Sequence, residues 1–192
     1  IKLKLHSPLY PKESIRIETP FFVKIPQVFS RLGHTGKHYE MTQWYPKPAV
    51  YDRKGWHPMP YLNQGEFYSE YGSFDVKITL PKDYRIMATG DLVDGEEEYA
   101  WLDSLTVVAD SIHSLPEKDF KKWVKSQKIK SDSDITSSEM KTLHFHQHHV
   151  HDFAWFADKN WLVQKGKLNL TDSTRKVTLW SFYLPKNAKL WE

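Results

Sequence analysis

Apolar and polar side chains alternate with a period of two along much of this chain, which is typical of strands that bury one face. Residues 74–80 (FDVKITL) show the alternation clearly, and Pro81 stops the strand. Residues 84–88, followed by a turn at Gly90-Asp91, are predicted to be its hairpin partner. The same pattern predicts further strands over residues 1–5, 15–25, 141–150, 162–170 and 176–184.

Only residues 115–129 have the character of a helix, with Glu117 and Asp119 in the first turn and basic residues toward the end. The lysines of this stretch are predicted to form a solvated helix face. Between the strands, residues 94–98 are predicted to be a charged turn and 131–139 a loop. The remaining connections are a turn or helix-like segment at 152–160 and a long ordered loop, packed by its own aromatic side chains, at 31–65.

About ten strands against one or two short helices predict an all-β fold, either a β-sandwich or a saddle-like open sheet. A chain of 192 residues is long enough for one domain, and we expect a single domain over 1–192. The first residue is Ile1 rather than Met, and strand-like alternation begins at once. We therefore expect a fragment that lacks its first strands and any targeting signal.

Composition and charge exclude several classes of function. The formal net charge is only +3, with Lys and Arg interspersed among Asp and Glu, so no nucleic-acid partner is expected. No run approaches the roughly 18 apolar residues that a membrane span needs. The chain has no cysteine, which rules out disulfides, thiolate metal sites and a cysteine nucleophile within it.

The histidines of residues 144–151 are the most conspicuous candidate for chemistry. On a strand, His144, His146 and His148 would share one face, and three imidazoles on one face can bind zinc or copper. The alternating positions contain no Asp or Glu that could act as a base. A partly exposed strand whose histidines hydrogen-bond locally is the favoured interpretation, and we assign no metal ligand in this chain.

Known catalytic motifs are missing. A zinc peptidase needs H-E-x-x-H on a helix, and the stretch His148-His149-Val150-His151 lacks the glutamate and lies in a strand context. The nucleophile elbow G-x-S-x-G and the phosphate loop G-x-x-x-x-G-K-[ST] are also absent. We therefore predict no catalytic residue in this chain and expect it to be inactive alone.

Aromatic side chains offer a second possible function, because sugar faces stack on Trp and Tyr. An independent β-sandwich module that binds carbohydrate or protein partners is therefore the alternative interpretation. Its candidate platform residues are Trp44, Tyr45, Tyr51, Trp56 and Tyr61.

A set of longer segments changes this picture. They are MTQWYPKP (41–48), YD (51–52), GWH (55–57), YGSFDV (71–76), LP (80–81), ATG (88–90) and VHDFAWFA (150–157). In this order they resemble the N-terminal domain of zinc metallopeptidases of the aminopeptidase N family, particularly bacterial members. The resemblance runs from about Leu9 to the end of the chain.

The resemblance implies a non-catalytic domain that packs on a catalytic domain and forms part of a peptide cleft. The zinc of such an enzyme would lie in the catalytic domain, outside these residues. Residues of this domain would contribute to the substrate-facing wall at the positions of Gln43 and Tyr45. Relatives with an amide or carboxylate at the second position bind the amine there, whereas this chain has Tyr45. By the same analogy, we expect an exported or periplasmic location.

Three further polar residues have structural rather than catalytic interpretations. Asp52, near Trp56 and His57, is predicted to stabilise a turn, because Asp readily accepts a hydrogen bond from the backbone two residues on. His151 and Asp152 resemble a hydrogen-bonded structural pair. Gln43 itself could equally cap backbone groups of a loop, but its amide can both accept from and donate to a peptide's free amine.

Overall fold

The computed structural model describes residues 1–28, 30–60, 62, 64–65, 67–133, 135–171 and 174–190, with the backbone alone for 129–133. Within these residues the chain forms eleven strands, two α-helices and a terminal 3₁₀ helix. The strands before the helices are β1 (Leu32–Thr35), β2 (His38–Met41), β3 (Val50–Asp52), β4 (Gly55–His57), β5 (Gly72–Pro81), β6 (Arg85–Ala88) and β7 (Asp91–Val93). The helices α1 (Glu96–His113) and α2 (Glu117–Ser133) come next, and then β8 (Met140–Val150), β9 (Trp155–Asp158), β10 (Leu162–Asn169), β11 (Lys176–Tyr183) and the 3₁₀ helix (Pro185–Leu190).

Two antiparallel sheets form the main body of the fold. One has the strand order β1-β2-β9-β6 and the other has the order β5-β8-β7. Both contribute side chains to a single hydrophobic cluster, which is the arrangement of a β-sandwich. The buried members of this cluster are Ile78, Leu80, Tyr84, Ile86, Phe145, Phe153 and Ala157.

Alternation along β5 explains how the second sheet acquires a dry face and a wet face. Ile78 and Leu80 are buried, whereas Asp75, Lys77 and Thr79 between the apolar positions are exposed. The neighbouring strand β8 repeats the pattern in register, since Val76 lies opposite Phe145 and Asp75 lies opposite His146. The outer face of this sheet therefore carries His144, His146 and His148 of β8.

A second hydrophobic cluster lies between the helices and the β10–β11 hairpin. Its buried residues come from α1, α2, both hairpin strands and the 3₁₀ helix. They are Ala109, Ile112, Phe120, Leu162, Tyr183 and Ala188. In α1 the buried positions Leu102, Ala109 and Ile112 lie along one side, and three glutamates occupy the first turn, where the helix dipole favours negative charge.

The predicted fold class is confirmed: the chain is mostly β, with several antiparallel sheets in a sandwich-like arrangement. The strands predicted over 74–80, 141–150, 162–170 and 176–184 correspond to β5, β8, β10 and β11. The predicted helix at 115–129 corresponds to α2, whose lysines from Lys118 to Lys128 are exposed as expected.

Both predicted strands of the first 25 residues are wrong. Residues 1–5 and 15–25 belong to no strand, and the nearest ladder contact is a single bridge between Gln27 and His34. Alternating side chains do not suffice for a strand, because its backbone groups must also pair with a neighbouring strand. Among the described residues none pairs with these two segments.

Four connections also differ from the predictions. Residues 31–65, predicted to be a loop, contain β1 to β4, and 94–98 runs into α1 instead of forming only a turn. Helix α2 extends into the predicted loop at 131–139, and 152–160 contains β9. Residues 84–88 do form a strand, β6, but it pairs with β9 in the facing sheet and not with β5.

Candidate functional site

Several segments that carry the family resemblance meet at Phe153, which is fully buried. The Trp44 indole Nε1 donates a hydrogen bond to the Phe153 carbonyl oxygen over 3.1 Å. The Phe74 ring lies 5.9 Å from the Phe153 ring, centroid to centroid. The 41–48, 71–76 and 150–157 segments, which lie far apart in sequence, are therefore parts of one packed unit.

The segment at 88–90 joins the same unit through backbone contacts. Thr89 N donates to Ala154 O over 2.9 Å, and Ala154 N donates to Thr89 Oγ1 over 3.1 Å. Gly90 has φ +94° and packs so closely on β8 that an added Cβ would lie 2.5 Å from His146 O. Only glycine adopts this conformation and leaves this space without strain.

Asp152 organises the polar side of this unit. Its Oδ1 accepts hydrogen bonds from Tyr45 OH, over 3.1 Å, and from Phe153 N, over 2.8 Å. Its Oδ2 pairs with Lys47 Nζ over 2.8 Å. Burial, and next the negative charge of Asp152, raise the pKa of the Tyr45 hydroxyl, which therefore stays protonated and donates to the carboxylate.

Tyr45 is thus held by its surroundings through both its ring and its hydroxyl. The ring lies edge-on to Trp44 at 5.3 Å and to Phe74 at 5.6 Å. The hydroxyl of this candidate substrate-binding residue is therefore already hydrogen-bonded to Asp152. Lys47 and Asp152, which the sequence interpretation did not select as a pair, complete the arrangement.

Gln43 has the least satisfied environment in this region. Strand β2 ends at Met41, which is buried and lies opposite Trp155, so the central strand of the sheet positions the residues that follow it. Gln43 has φ 54°, in the left-handed region that non-glycine residues rarely adopt. Its side-chain oxygen Oε1 is buried, and no described residue hydrogen-bonds to it.

Of the aromatic residues predicted as a carbohydrate platform, only those of the β3–β4 hairpin form an exposed pair among the described residues. Tyr51 and Trp56 lie opposite each other on β3 and β4, are 66% and 68% exposed, and have ring centroids 5.0 Å apart. Trp44 and Tyr45 instead belong to the packed unit around Phe153. Tyr61 lies outside the described residues.

Asp52 stabilises the turn of this hairpin, as predicted. Its Oδ1 accepts hydrogen bonds from Lys54 N, over 2.7 Å, and from His57 Nε2, over 2.8 Å. The hydrogen bond from His57 is the main reason why the pKa of Asp52 is lowered, so the carboxylate is ionised when it accepts both bonds.

The predicted pairing of His151 with Asp152 is not found. Among the described residues, the hydrogen bonds of Asp152 go to Tyr45, Lys47 and Phe153. The His151 ring instead lies edge-on to Tyr71 at 5.6 Å.

Three histidines of β8, His144, His146 and His148, hydrogen-bond to the neighbouring strand β5, as the favoured interpretation expected. Asp75 Oδ1 lies 2.7 Å from His144 Nε2, and Asp75 Oδ2 lies 3.1 Å from His146 Nδ1. These bonds, that from His144 first, lower the pKa of Asp75. Asp75 lies on β5, outside the alternating set of β8, so strand periodicity does not indicate it. Only the strand register brings it opposite His146.

A cavity of about 870 Å³ with charged walls lies beside α1, between the two hydrophobic clusters. Glu98 and Lys141 form an ion pair in its wall, with Lys141 Nζ 2.7 Å and 2.9 Å from the two carboxylate oxygens. Lys159 Nζ lies 2.7 Å from Asp83 Oδ2. The opposite charges face each other within the walls, so the cavity as a whole has no strong preference for one sign of ligand.

Within the described residues, no group of three or more His, Cys, Asp or Glu side chains is arranged to hold a metal ion. No helix in this part of the chain is both long and apolar enough to cross a membrane. Comparison with known proteins gave no match: no family model, no curated protein and no solved structure is significantly similar to the chain. The family resemblance therefore depends on the segments quoted above.

Proposed function

We propose that this chain is the non-catalytic N-terminal domain of a zinc aminopeptidase, packing on the catalytic domain and forming part of the peptide cleft. The observation that carries the proposal is the environment of Gln43. Its buried Oε1 has no hydrogen-bond partner among the described residues, and its backbone has φ 54°. The residue falls at the position to which the family resemblance assigns substrate contact.

Both features of Gln43 are unfavourable in the absence of a ligand. A buried acceptor without a donor costs about 1–3 kcal/mol, and a non-glycine residue in the left-handed region costs about 1–3 kcal/mol. Such strain persists where surrounding structure imposes it, and it concentrates at ligand-binding sites. A peptide's α-ammonium group is a charged donor, and a hydrogen bond from it to Gln43 Oε1 would offset the cost of the unpaired acceptor.

The surroundings of Gln43 account for how the position is imposed. On one side, β2 is fixed in the sheet by pairing of Met41 with Trp155. On the other side, Trp44 and Tyr45 are tied to Phe153 and Asp152 by the hydrogen bonds described above. Gln43 is therefore held between two anchored points, and rotation of its half-buried side chain would present the amide to a ligand.

In this proposal Tyr45 does not bind the substrate amine, which is the role that the family resemblance implies for its position. Its hydroxyl donates to Asp152 and its ring packs on Trp44. We assign it to the same cleft wall as a residue that shapes the surface and positions Gln43. Recognition of the amine then depends on Gln43 and on groups of the catalytic domain, which would also supply zinc and the general base.

The first test is a peptidase assay on the full-length natural protein that contains this chain. Amino-acid anilides with a free amine are compared with their N-acetylated counterparts, each with and without a zinc chelator. Chelator-sensitive cleavage of the free-amine substrates, with at least tenfold slower cleavage of the acetylated ones, is the expected result. Absence of chelator-sensitive cleavage, or equal cleavage of both substrates, would contradict the proposal.

One observation favours a second candidate function, that of a carbohydrate-binding module. Tyr51 and Trp56 form an exposed aromatic pair on the β3–β4 hairpin, and stacking on aromatic faces is how proteins bind sugar rings. Under this alternative, a glycan would change the tryptophan fluorescence of the protein and Trp56→Ala would abolish binding. The aminopeptidase proposal predicts no saturable response to glycans.

A further inference from the structure

Two histidines on the outer face of β8 point their ring nitrogens at each other. His146 Nε2 lies 2.9 Å from His148 Nε2. The two rings are nearly perpendicular, at 83°, with centroids 4.4 Å apart. Since residues two apart on a strand share a face, the backbone of β8 itself sets this arrangement.

The far side of each ring is held by a second residue from β5. His146 Nδ1 lies 3.1 Å from Asp75 Oδ2, and His148 Nδ1 lies 2.7 Å from Ser73 Oγ. Metal-binding histidines have the same arrangement: one ring nitrogen binds the ion while the other donates to a carboxylate or another oxygen. When both Nδ1 atoms carry the proton, both Nε2 lone pairs are available to an ion, and a rotation of the rings out of their mutual hydrogen bond would direct both at it.

The neighbouring strands place two carboxylates beside His146 on this face of the sheet, and one lysine, Lys77, opposite His144. Asp75 lies opposite His146 on β5, and Asp91 lies opposite the same histidine on β7. His144 also holds the Asp75 carboxylate, at 2.7 Å, and thereby fixes its orientation. A cation at the two Nε2 atoms would therefore lie between two carboxylate-bearing strands and remain open to water, since His148 is exposed.

We propose that His146 and His148 form a two-histidine site for a divalent transition-metal ion, with Cu²⁺ preferred. Two nitrogens in neighbouring positions of a square-planar ion, each at about 2.0 Å, are about 2.8 Å apart, whereas two corners of a zinc tetrahedron are about 3.3 Å apart. The metal-free contact of 2.9 Å is a hydrogen bond, and the two nitrogens would have to separate less to accept a square-planar ion than to accept a tetrahedral one. Water fills the remaining positions, and the affinity order of the first-row divalent ions adds to the preference for Cu²⁺.

Binding of the ion to two neutral imidazole rings releases no proton, because the proton of His148 only moves from one ring nitrogen to the other. Without metal, the two contacts fit a state in which Ser73 Oγ–H donates to His148 Nδ1 and His148 Nε2–H donates to His146 Nε2. On binding, His148 takes the other tautomer, and its Nδ1–H donates to Ser73 Oγ. Both Nε2 lone pairs then bind the ion, and Asp75 keeps the Nδ1–H of His146. Asp75 and Ser73 are positioning residues in this site.

The test is a Cu²⁺ titration of the full-length natural protein, with glycine as a competing ligand, followed by electron paramagnetic resonance. The wild type should bind one Cu²⁺ more than the variant that carries both His146→Ala and His148→Ala. The spectrum of that ion should be square-planar, with splitting from two imidazole nitrogens. Either single substitution should lower the affinity at least tenfold, and Asp75→Asn should lower it about tenfold through loss of orientation.

A neighbouring histidine supplies the matched control. His151→Ala removes an imidazole from the same segment whose ring packs on Tyr71, and it should change the Cu²⁺ affinity less than twofold. The proposal is overturned if the wild type and the double variant bind Cu²⁺ equally, or if His151→Ala reduces binding as much as His146→Ala. It does not depend on peptidase activity, because the difference between the variants is read at this site alone.

Discussion

The indole of Trp44 donates its hydrogen bond to the backbone carbonyl of Phe153, which joins the end of β2 to the segment that leads into β9. Phe153 is fully buried beneath this contact. Trp44→Phe keeps most of the ring but leaves the carbonyl without its donor, so we expect the free energy of unfolding to fall by about 1–3 kcal/mol. Urea denaturation would measure it, with the exposed Trp56→Phe, expected to change stability by less than about 0.5 kcal/mol, as control. Equal effects of the two substitutions would contradict the role given to Trp44.

Without a bound ligand, Gln43 should lower the stability of the folded protein. Gln43→Gly relieves the left-handed backbone strain and removes the unpaired acceptor, which together outweigh the extra backbone entropy of glycine. We expect the free energy of unfolding to rise by about 1 kcal/mol. Gln164→Gly is the control, because Gln164 lies within β10, where glycine weakens a strand. A loss of stability in Gln43→Gly would show that the side chain has a structural role.

The ion pair of Glu98 and Lys141 fastens α1 to β8 at low solvent exposure, with side chains 9% and 13% exposed. Lys141 Nζ also lies 4.2 Å from the centroid of the Trp101 ring. Burial raises the pKa of Glu98 and lowers that of Lys141, and the mutual attraction opposes both shifts. Lys141→Met leaves a buried carboxylate unpaired and should cost about 3–5 kcal/mol.

The double substitution Glu98→Gln with Lys141→Met removes both charges together. It should recover most of the stability lost in Lys141→Met, because no uncompensated charge remains. Chemical denaturation of the wild type, the single variants Lys141→Met and Glu98→Gln, and the double variant forms a double-mutant cycle. A double variant as unstable as the single one would show that packing, and not charge, dominates at this contact.

His38 should make stability depend on pH. Its Nδ1 lies 3.1 Å from Asp158 Oδ2 and its Nε2 lies 3.1 Å from Glu40 Oε1. The hydrogen bond to Asp158 is the largest influence; burial partly opposes it, yet the pKa of His38 is raised above its usual 6.5. A raised pKa in the folded state means that the contribution is complete below the unfolded pKa and is lost as pH rises through the folded value.

We therefore expect the difference in stability between the wild type and His38→Gln to be largest near about pH 6 and to shrink toward about pH 9. Thermal unfolding over this range would measure it. The exposed His6 supplies the matched control, and the effect of His38 is read as the difference between the pH profiles of His38→Gln and His6→Gln. A difference that grows with pH would contradict the sign of the argument.

Side-chain alternation predicted strands well where a partner strand exists, and it failed to predict pairing. The run from Phe74 to Leu80 became β5, whereas a comparable run at 15–25 forms no strand, because alternation carries no information about partners. Helix α1 was missed because its few buried positions, Leu102, Ala109 and Ile112, are widely spaced and its exposed side includes Val107 and Val108.

The candidate sites show the same division. Only the family resemblance indicates Gln43 as a site residue. Its left-handed backbone could not be predicted, because glycine or asparagine usually occupies such a position and this chain has glutamine there. The shared face of His144, His146 and His148 followed directly from strand periodicity. Asp75 could not be assigned to them until the register of β5 against β8 was known.

The most direct test of the central claim is the steady-state kinetics of Gln43→Ala in the full-length natural protein. Gln164→Ala serves as control, since Gln164 lies in β10 and its side chain contacts His113 of α1. With free-amine anilide substrates, we expect Gln43→Ala to lower kcat/KM by about tenfold or more, as for loss of one hydrogen bond to a charged group. The control should stay within about twofold, because Gln164 belongs to none of the segments that surround Gln43. A Gln43→Ala enzyme with the wild-type kcat/KM would contradict the assignment of Gln43 to the substrate cleft.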